Sequence, residues 1–336
     1  MREQFPALGS QMVCQAVHRV ADAYRTLKAN KGIVLDKPVL AIAFEPTSVN
    51  YDARTHSLSG ETFSLFTLDG RIKVAFACGQ HQRNILQSGK RKEARLVIRR
   101  GAWYLNVCVE IGDAAPKAGS ATIGLDVGEN NLAATSTGKI FGGGQLRHHR
   151  DRFLAERRRL QANGSRAAKR KLRAVSGREG RHVRHVNHET SKQIIAEAIR
   201  ADASEIRMED LTRIRDRIKA GRRVRTRLHR WAFRQLQDFV AYKAQSAGIR
   251  VVYVNPAYTS QTCSACGGIG KRVRHSFTCL CGTRLHSDAN AALNIAGFAQ
   301  PIGSARGGKV TRPVFTHLVR PGAVESPALQ GWGTVT

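Results

Sequence analysis

A chain of 336 residues with 55 Lys and Arg against 25 Asp and Glu carries a formal charge of +30. Hydrophobic residues make up 42% of it, enough to bury a core, so this is not a disordered basic tail. A charge of that size attracts polyanions, nucleic acid above all. No apolar run approaches the ~18 residues of a membrane span, and the start, MREQFPALGSQ, lacks a signal-peptide core. These features disfavour a membrane protein, a secreted protein and a small-metabolite enzyme.

Residues 7–30 repeat apolar side chains (Met12, Val13, Ala16, Val17, Val20, Ala23, Tyr24) at three- and four-residue steps, which predicts a helix. From 38 to 112 the period changes. PVLAIAF, FSLFTL, IKVAFAC, EARLVIRR and AWYLNVCVEI are β-rich runs separated by turns, as in a small antiparallel barrel or sheet. IGDAAPKAG (111–119) has linker composition.

A second pattern opens with ATIGLDVG, an apolar strand ending in Asp126, followed by a hairpin turning at Thr137-Gly138. Residues 147–185 are dominated by Arg and Lys. HETSKQIIAEAIRAD (188–202) reads as an amphipathic helix and SEIRMED (204–210) as a strand ending near Glu209. Residues 211–227 are again basic. Residues 228–247 pattern as a helix, IRVVYV (249–254) as a buried strand, and SDANAALNIAGFA (287–299) as a helix with a Ser at its start. The Gly-, Pro-, Ser- and Thr-rich segment 300–336 is expected to be disordered.

Cys263, Cys266, Cys279 and Cys281 form two close pairs around GGIGKRVRHSFT. Four thiolates from two short loops suit tetrahedral Zn²⁺ in a zinc ribbon, and a closed four-Cys site has no open position for catalysis. Cys14, Cys78 and Cys108 are scattered, as expected of reduced thiols.

In a chain short of acids, Asp126 and Glu209 at strand ends and Asp288 in a helix's first turn are informative. Strand, hairpin, helix, strand, helix, strand, helix is compatible with a ribonuclease H-like α/β fold in which such acids converge. Three carboxylates are hard oxygen donors able to hold two Mg²⁺ for phosphodiester hydrolysis. Taken singly, an Asp after a strand is usually a turn or cap residue and a Glu there usually solvated, and Glu129 and Asp210 are neighbours that could be confused with the ligands. Trp231, Phe233 and Phe239 read as helix core rather than a stacking platform.

IGLDVGENNLAATSTGKIFGGG, NHETSKQIIAEAIR with IRMEDL, and WAFRQLQDFVAYKAQSAGIRVVYVNPAYTSQTCSACG with SDANAALNIA together resemble the TnpB, or OrfB, family of transposon-encoded RNA-guided DNA endonucleases related to type V CRISPR effectors. The resemblance spans roughly residues 121–297. It implies an α/β (α+β overall) architecture with a RuvC nuclease domain, an inserted zinc ribbon and, ahead of them, a helical recognition segment and a wedge barrel. Asp126, Glu209 and Asp288 then match the catalytic, Mg²⁺- or Mn²⁺-binding acids. Cys263, Cys266, Cys279 and Cys281 match the ligands of one structural Zn²⁺.

The implied segments are 1–37 recognition, 38–118 wedge, 119–257 nuclease with a basic helical insert at 147–187, 258–285 zinc ribbon, 286–299 last nuclease helix and 300–336 tail. Family members usually open with an extra β segment, whereas this chain enters almost directly at the helix; the start lies elsewhere, the barrel lacks a strand, or the copy is degraded. The final Cys-x-Cys is a smaller departure.

Guide RNA and target DNA are the implied partners, with no membrane and no small-molecule substrate, in a prokaryotic cytoplasm beside the nucleoid. A role in spreading a transposable element and in DNA recombination follows by resemblance. Arg157, Arg158, Arg159, Lys169, Arg170, Lys171, Arg222, Arg223 and Arg225 are the candidate phosphate contacts. The alternatives are an RNA-guided DNA-binding protein with an impaired nuclease, and a guide-free RuvC-like nuclease.

Overall fold

The computed structural model describes residues 8–29, 47–99, 101–211, 232–255 and 259–297, with Pro6, Phe44 and the backbone of 303–304 and 311–318. Two compact units emerge, one from residues 1–112 and 309–336, the other from 113–308.

The first unit begins with α1 (Ser10–Ala29), none of whose residues is buried. Its Arg19 Nη1 donates to the Ser48 carbonyl at 2.8 Å. Then come β1 (Ser48–Tyr51), β2 (His56–Ser59), β3 (Thr62–Thr67), β4 (Gly70–Ala77), α2 (Gln80–Ser88), β5 (Lys90–Arg99) and β6 (Ala102–Glu110). The expected run at 38–44 lies outside the described residues, apart from Phe44.

These strands and the segment Thr311–Leu318 form one antiparallel seven-stranded sheet, ordered β1, β5, β6, 311–318, β4, β3, β2. The 311–318 strand corrects the expectation of a wholly disordered tail. Its pairing with β6 and β4 is long-range, and Gly- and Pro-rich composition carries no local trace of it. The core follows the two-residue period of β6, with Leu105, Val107 and Val109 buried against Phe63, Leu65 and Leu86.

The second unit contains β7 (Ala121–Asp126), β8 (Asn131–Thr135), β9 (Ile140–Gly142), α3 (Gly144–Asn163), α4 (Arg166–Arg200), β10 (Ala203–Glu209), α5 (Phe233–Ser246) and β11 (Arg250–Val254). After them come β12 (Lys271–Val273), β13 (Ser276–Thr278), β14 (Arg284–His286), α6 (Ser287–Gly297) and β15 (Gly303–Ser304). The main sheet is ordered β15, β11, β10, β7, β8, β9. β7, β10 and β11 are parallel, whereas β8 and β9 continue antiparallel from β7. Gly138, at φ +89°, makes the β8–β9 turn.

Parallel neighbours need crossovers. The α3–α4 hairpin supplies the first, and α5 follows β10 ahead of β11. Ile123, Leu125, Ile206, Met208, Leu236 and Val240 make the centre of the core. β12, β13 and β14 form a separate three-stranded antiparallel sheet closed over the fully buried Phe277.

Candidate functional site

β10 and β7 are paired in register through Met208 and Leu125. The next step along both strands brings Glu209 and Asp126 side by side at the same end of the sheet. Asp288 comes to them on α6. That helix packs on β7 at Gly124, where any Cβ would overlap the Ala292 carbonyl and the Ala296 amide. A glycine at 124 is therefore what lets the helix carrying one acid lie close to the strand carrying another.

α6 begins at Ser287 itself. His286 Nδ1 accepts the Asp288 amide hydrogen at 3.2 Å, while the Ser287 hydroxyl donates to the Arg274 carbonyl at 3.2 Å. The N-cap position is therefore His286, one residue before Ser287.

Asp126 has dense protein on most sides and keeps an opening to solvent. Burial, then the charges of Glu209 and Asp288, push its carboxyl up to about 8, against the opposing pull of Arg272. The three acids therefore share one electrostatic site. Burial also raises Glu209, opposed by a hydrogen bond from the Thr259 hydroxyl to its Oε1. The Gln237 amide donates to the Glu209 carbonyl at 2.8 Å. Asp288 is buried; Asn131 Nδ2 donates to its Oδ2 and Arg272 Nη2 to its Oδ1, both at 2.9 Å.

The carboxylates do not close into a group with all ligand atoms within 4.8 Å. Asp288 forms such a group with His275 and His286, but its oxygens are already bonded to Asn131 and Arg272. Asn131, Thr259 and Arg272 escaped the sequence reading. Their contacts span 157, 50 and 16 residues respectively, and no local spacing marks them.

Cys263, Cys266, Cys279 and Cys281 place their sulfurs within 4.8 Å of one another. Cys263 and Cys281 are 3.7 Å apart and Cys266 and Cys279 3.5 Å. A disulfide needs about 2.05 Å. Zn–S bonds of about 2.3 Å in a tetrahedron set sulfurs roughly 3.8 Å apart, so the quartet fits a zinc ion despite its short final pair.

Arg157, Arg158 and Arg159 lie on α3, and Lys169, Arg170 and Lys171 on α4. Arg157 pairs with Glu179 across the hairpin at 3.9 Å, and Lys171 with Glu156 at 3.7 Å. A cavity of about 590 Å³ beside them is lined by His149, Arg152, Arg159 and Arg178 among others. Arg222, Arg223, Arg225 and Trp231 lie outside the described residues. Phe233 is buried in the core and Phe239 stacks on His188, centroids 3.9 Å apart. Among the described residues no helix is long and apolar enough to cross a membrane.

A family model described as "Probable transposase" (OrfB_IS605) matches residues 106–215, and one described as "Cas12f1-like, TNB domain" matches 233–295. A CRISPR-associated endodeoxyribonuclease Cas12f1 of Sulfoacidibacillus thermotolerans is 44% identical over 113 residues, 32% of this chain and 25% of that protein. A TnpB-like protein of Methanocaldococcus jannaschii is 35% identical over 184 residues, 53% of this chain and 65% of that protein. A Cas12f1–sgRNA–target DNA complex, solved by cryo-EM, aligns over 77% of this chain and 68% of that one, at 18% identity and a TM-score of 0.44. The sequence matches thus span from a quarter to somewhat under two thirds of these two relatives. Two family models on successive segments, an OrfB_IS605 transposase model and a Cas12f1-like TNB model, thus match the chain, and its relatives include both TnpB-like and Cas12f proteins.

Proposed function

We propose that this chain is an RNA-guided DNA endonuclease of an insertion sequence, with Asp126, Glu209 and Asp288 as its catalytic acids. One observation carries the reading: Asp126 and Glu209 end adjacent parallel strands in the same rank, and the helix bearing Asp288 packs on the first of them. Within the six-stranded sheet, three antiparallel strands (β9, β8, β7) continued by two parallel ones (β10, β11) support a ribonuclease H-like, RuvC-type nuclease fold.

The acids offer hard oxygen donors of the kind that would hold two Mg²⁺ or Mn²⁺ ions. When bound, such ions supply positive charge to the scissile phosphate and activate the attacking water. Asp126 gives up its carboxyl proton for that binding, Thr259 orients Glu209, and Asn131 and Arg272 orient Asp288. The four cysteines hold one structural Zn²⁺. The exposed Lys and Arg of α3 and α4 hold phosphates of a guide RNA and its paired target DNA strand. The first unit serves as recognition helix and wedge, and the protein works in the cytoplasm beside the nucleoid.

The test is plasmid cleavage in Mg²⁺ by protein co-expressed with RNA from its flanking DNA, on a target beside a randomised motif. Guide-dependent double-strand cuts are expected, lost in Asp126→Ala with target binding intact. Undiminished cutting by that variant would refute the acids' assignment. Guide-independent cutting of branched DNA would favour a guide-free nuclease.

A further inference from the structure

The segment from Thr259 to Ser264 touches two of the three elements that carry acids, β10 with Glu209 and α6 with Asp288. Thr259 is 3% exposed, and its hydroxyl donates to Glu209 Oε1. The Thr259 and Thr262 carbonyls both accept from Asn294 Nδ2, at 2.8 and 2.6 Å. The fully buried Asn290 side chain brackets Cys263. Its Nδ2 donates to the Thr262 carbonyl at 2.7 Å and its Oδ1 accepts the Ser264 amide hydrogen at 2.9 Å. Asn290 and Asn294 lie one turn apart on α6, whose first turn holds Asp288. The same six residues are thus bonded to the strand acid by one side chain, anchored to the helix of the other acid by two, and include a cysteine of the metal quartet.

We propose that Thr259 and Asn290 are positioning residues through which the four-cysteine site, when metal-loaded, sets the divalent-cation affinity of the Asp126–Glu209–Asp288 centre. The inference deepens the proposed function and rests on its ligand assignment. A hydroxyl bonded to one carboxylate oxygen fixes the rotamer and leaves the other oxygen for a cation. The Asn290 amide fixes the peptide planes on both sides of Cys263. A metal on the thiolates therefore immobilises the strap that aims Glu209 and ties it to α6, and an empty quartet slackens it. Loss of an outer-shell partner of this kind typically weakens metal binding about 10–100-fold.

Titration of Mn²⁺ alone onto the full chain, with free Mn²⁺ followed by electron paramagnetic resonance, tests the idea. Thr259→Val is expected to weaken Mn²⁺ binding about tenfold, with zinc content and melting unchanged, and Thr259→Ser to restore it. Asn290→Ala is expected to weaken binding by a similar factor while zinc stays bound. Stripping zinc is expected to lower the Mn²⁺ affinity of the wild type and to lower that of Asn290→Ala no further. Circular dichroism follows the fold throughout.

Equal affinity of wild type and Thr259→Val, with Glu209→Gln weakened, overturns the proposal and spares the ligand assignment. Glu209→Gln binding as tightly as wild type overturns both. Mn²⁺ affinity that ignores zinc in the folded wild type refutes the coupling.

Discussion

Arg272 reaches from the hairpin of the four-cysteine module to Asp288 in the first turn of α6, its Nη2 2.9 Å from Oδ1. It also favours the ionised form of Asp126. In the cation-free protein the guanidinium does part of what a bound cation would do, neutralising buried carboxylates. It competes for one of the oxygens a cation needs.

Arg272→Ala is therefore expected to bind Mn²⁺ at least as tightly as the wild type. Turnover should move the other way. Under the proposed function, a guanidinium displaced by cations would face the charge that builds on the phosphate, and losing one preorganised donor there typically costs about 10²–10³ in rate. Single-turnover cleavage at saturating Mg²⁺ should fall by about two orders of magnitude. Unchanged turnover would mean that Arg272 only pairs Asp288.

Asp126 gives the stability of the cation-free protein a defined pH dependence. An ordinary Asp ionises near 3.8, whereas folded Asp126 keeps its proton up to about pH 8. Below the lower value both states are protonated. Between the two, the unfolded chain has released a proton that the folded chain holds, so stability falls as pH rises, and above about 8 the loss is complete. Asp126→Asn carries no such burden. In zinc-loaded, Mg²⁺-free protein its melting advantage over wild type should grow from pH 5.5 to 8.5, reaching on the order of a few kcal/mol. Added Mg²⁺ should stabilise the wild type and not the variant. An advantage independent of pH would show that Asp126 is ionised throughout.

Gly124 is the contact on which the placement of α6 depends. Its missing side chain admits the backbone of Ala292 and Ala296, and backbone yields less easily than a side-chain tip. Gly124→Ala should push the helix off β7 and destabilise by roughly 1–3 kcal/mol or more, as overpacked cores do. Because Asp288 rides on that helix, cleavage should be lost at temperatures where circular dichroism still reports a folded chain. Wild-type activity in a stable Gly124→Ala protein would show that α6 can shift without disturbing Asp288.

What the sequence made legible was local. The alternation in AWYLNVCVEI matches the buried Leu105, Val107 and Val109 of β6, and the spacing of the four cysteines matches a real cluster. Other elements left faint traces. α2 offers only Ile85 and Leu86 as large apolar residues, too few to set a helical period. α4 runs unbroken from the basic insert into the amphipathic helix expected at 188, because Arg, Lys and Ala are good helix formers even where no apolar stripe shows. Asn131, Thr259 and the 311–318 strand act through partners far away in the chain, which no window of sequence contains.

The basic hairpin also divides in a way that charge alone could not foretell. Arg157 and Lys171 bridge α3 and α4 through Glu179 and Glu156; Arg157 is half-buried, while Lys171 is exposed, as are Arg158, Arg159, Lys169 and Arg170. Exposed pairs contribute about 0–1 kcal/mol, so the bridging residues are partly engaged by the protein's own acids and less available to phosphate. Replacing Arg158, Arg159, Lys169 and Arg170 by Gln should weaken RNA binding uniformly across sequences. It should also flatten the plot of log affinity against log salt by close to one unit for each phosphate no longer neutralised. Gln at Arg157 and Lys171 should change that slope less and lower melting slightly. The reverse ranking would place the phosphate-binding face along the seam between the two helices, beside the cavity lined by Arg152, Arg159 and Arg178.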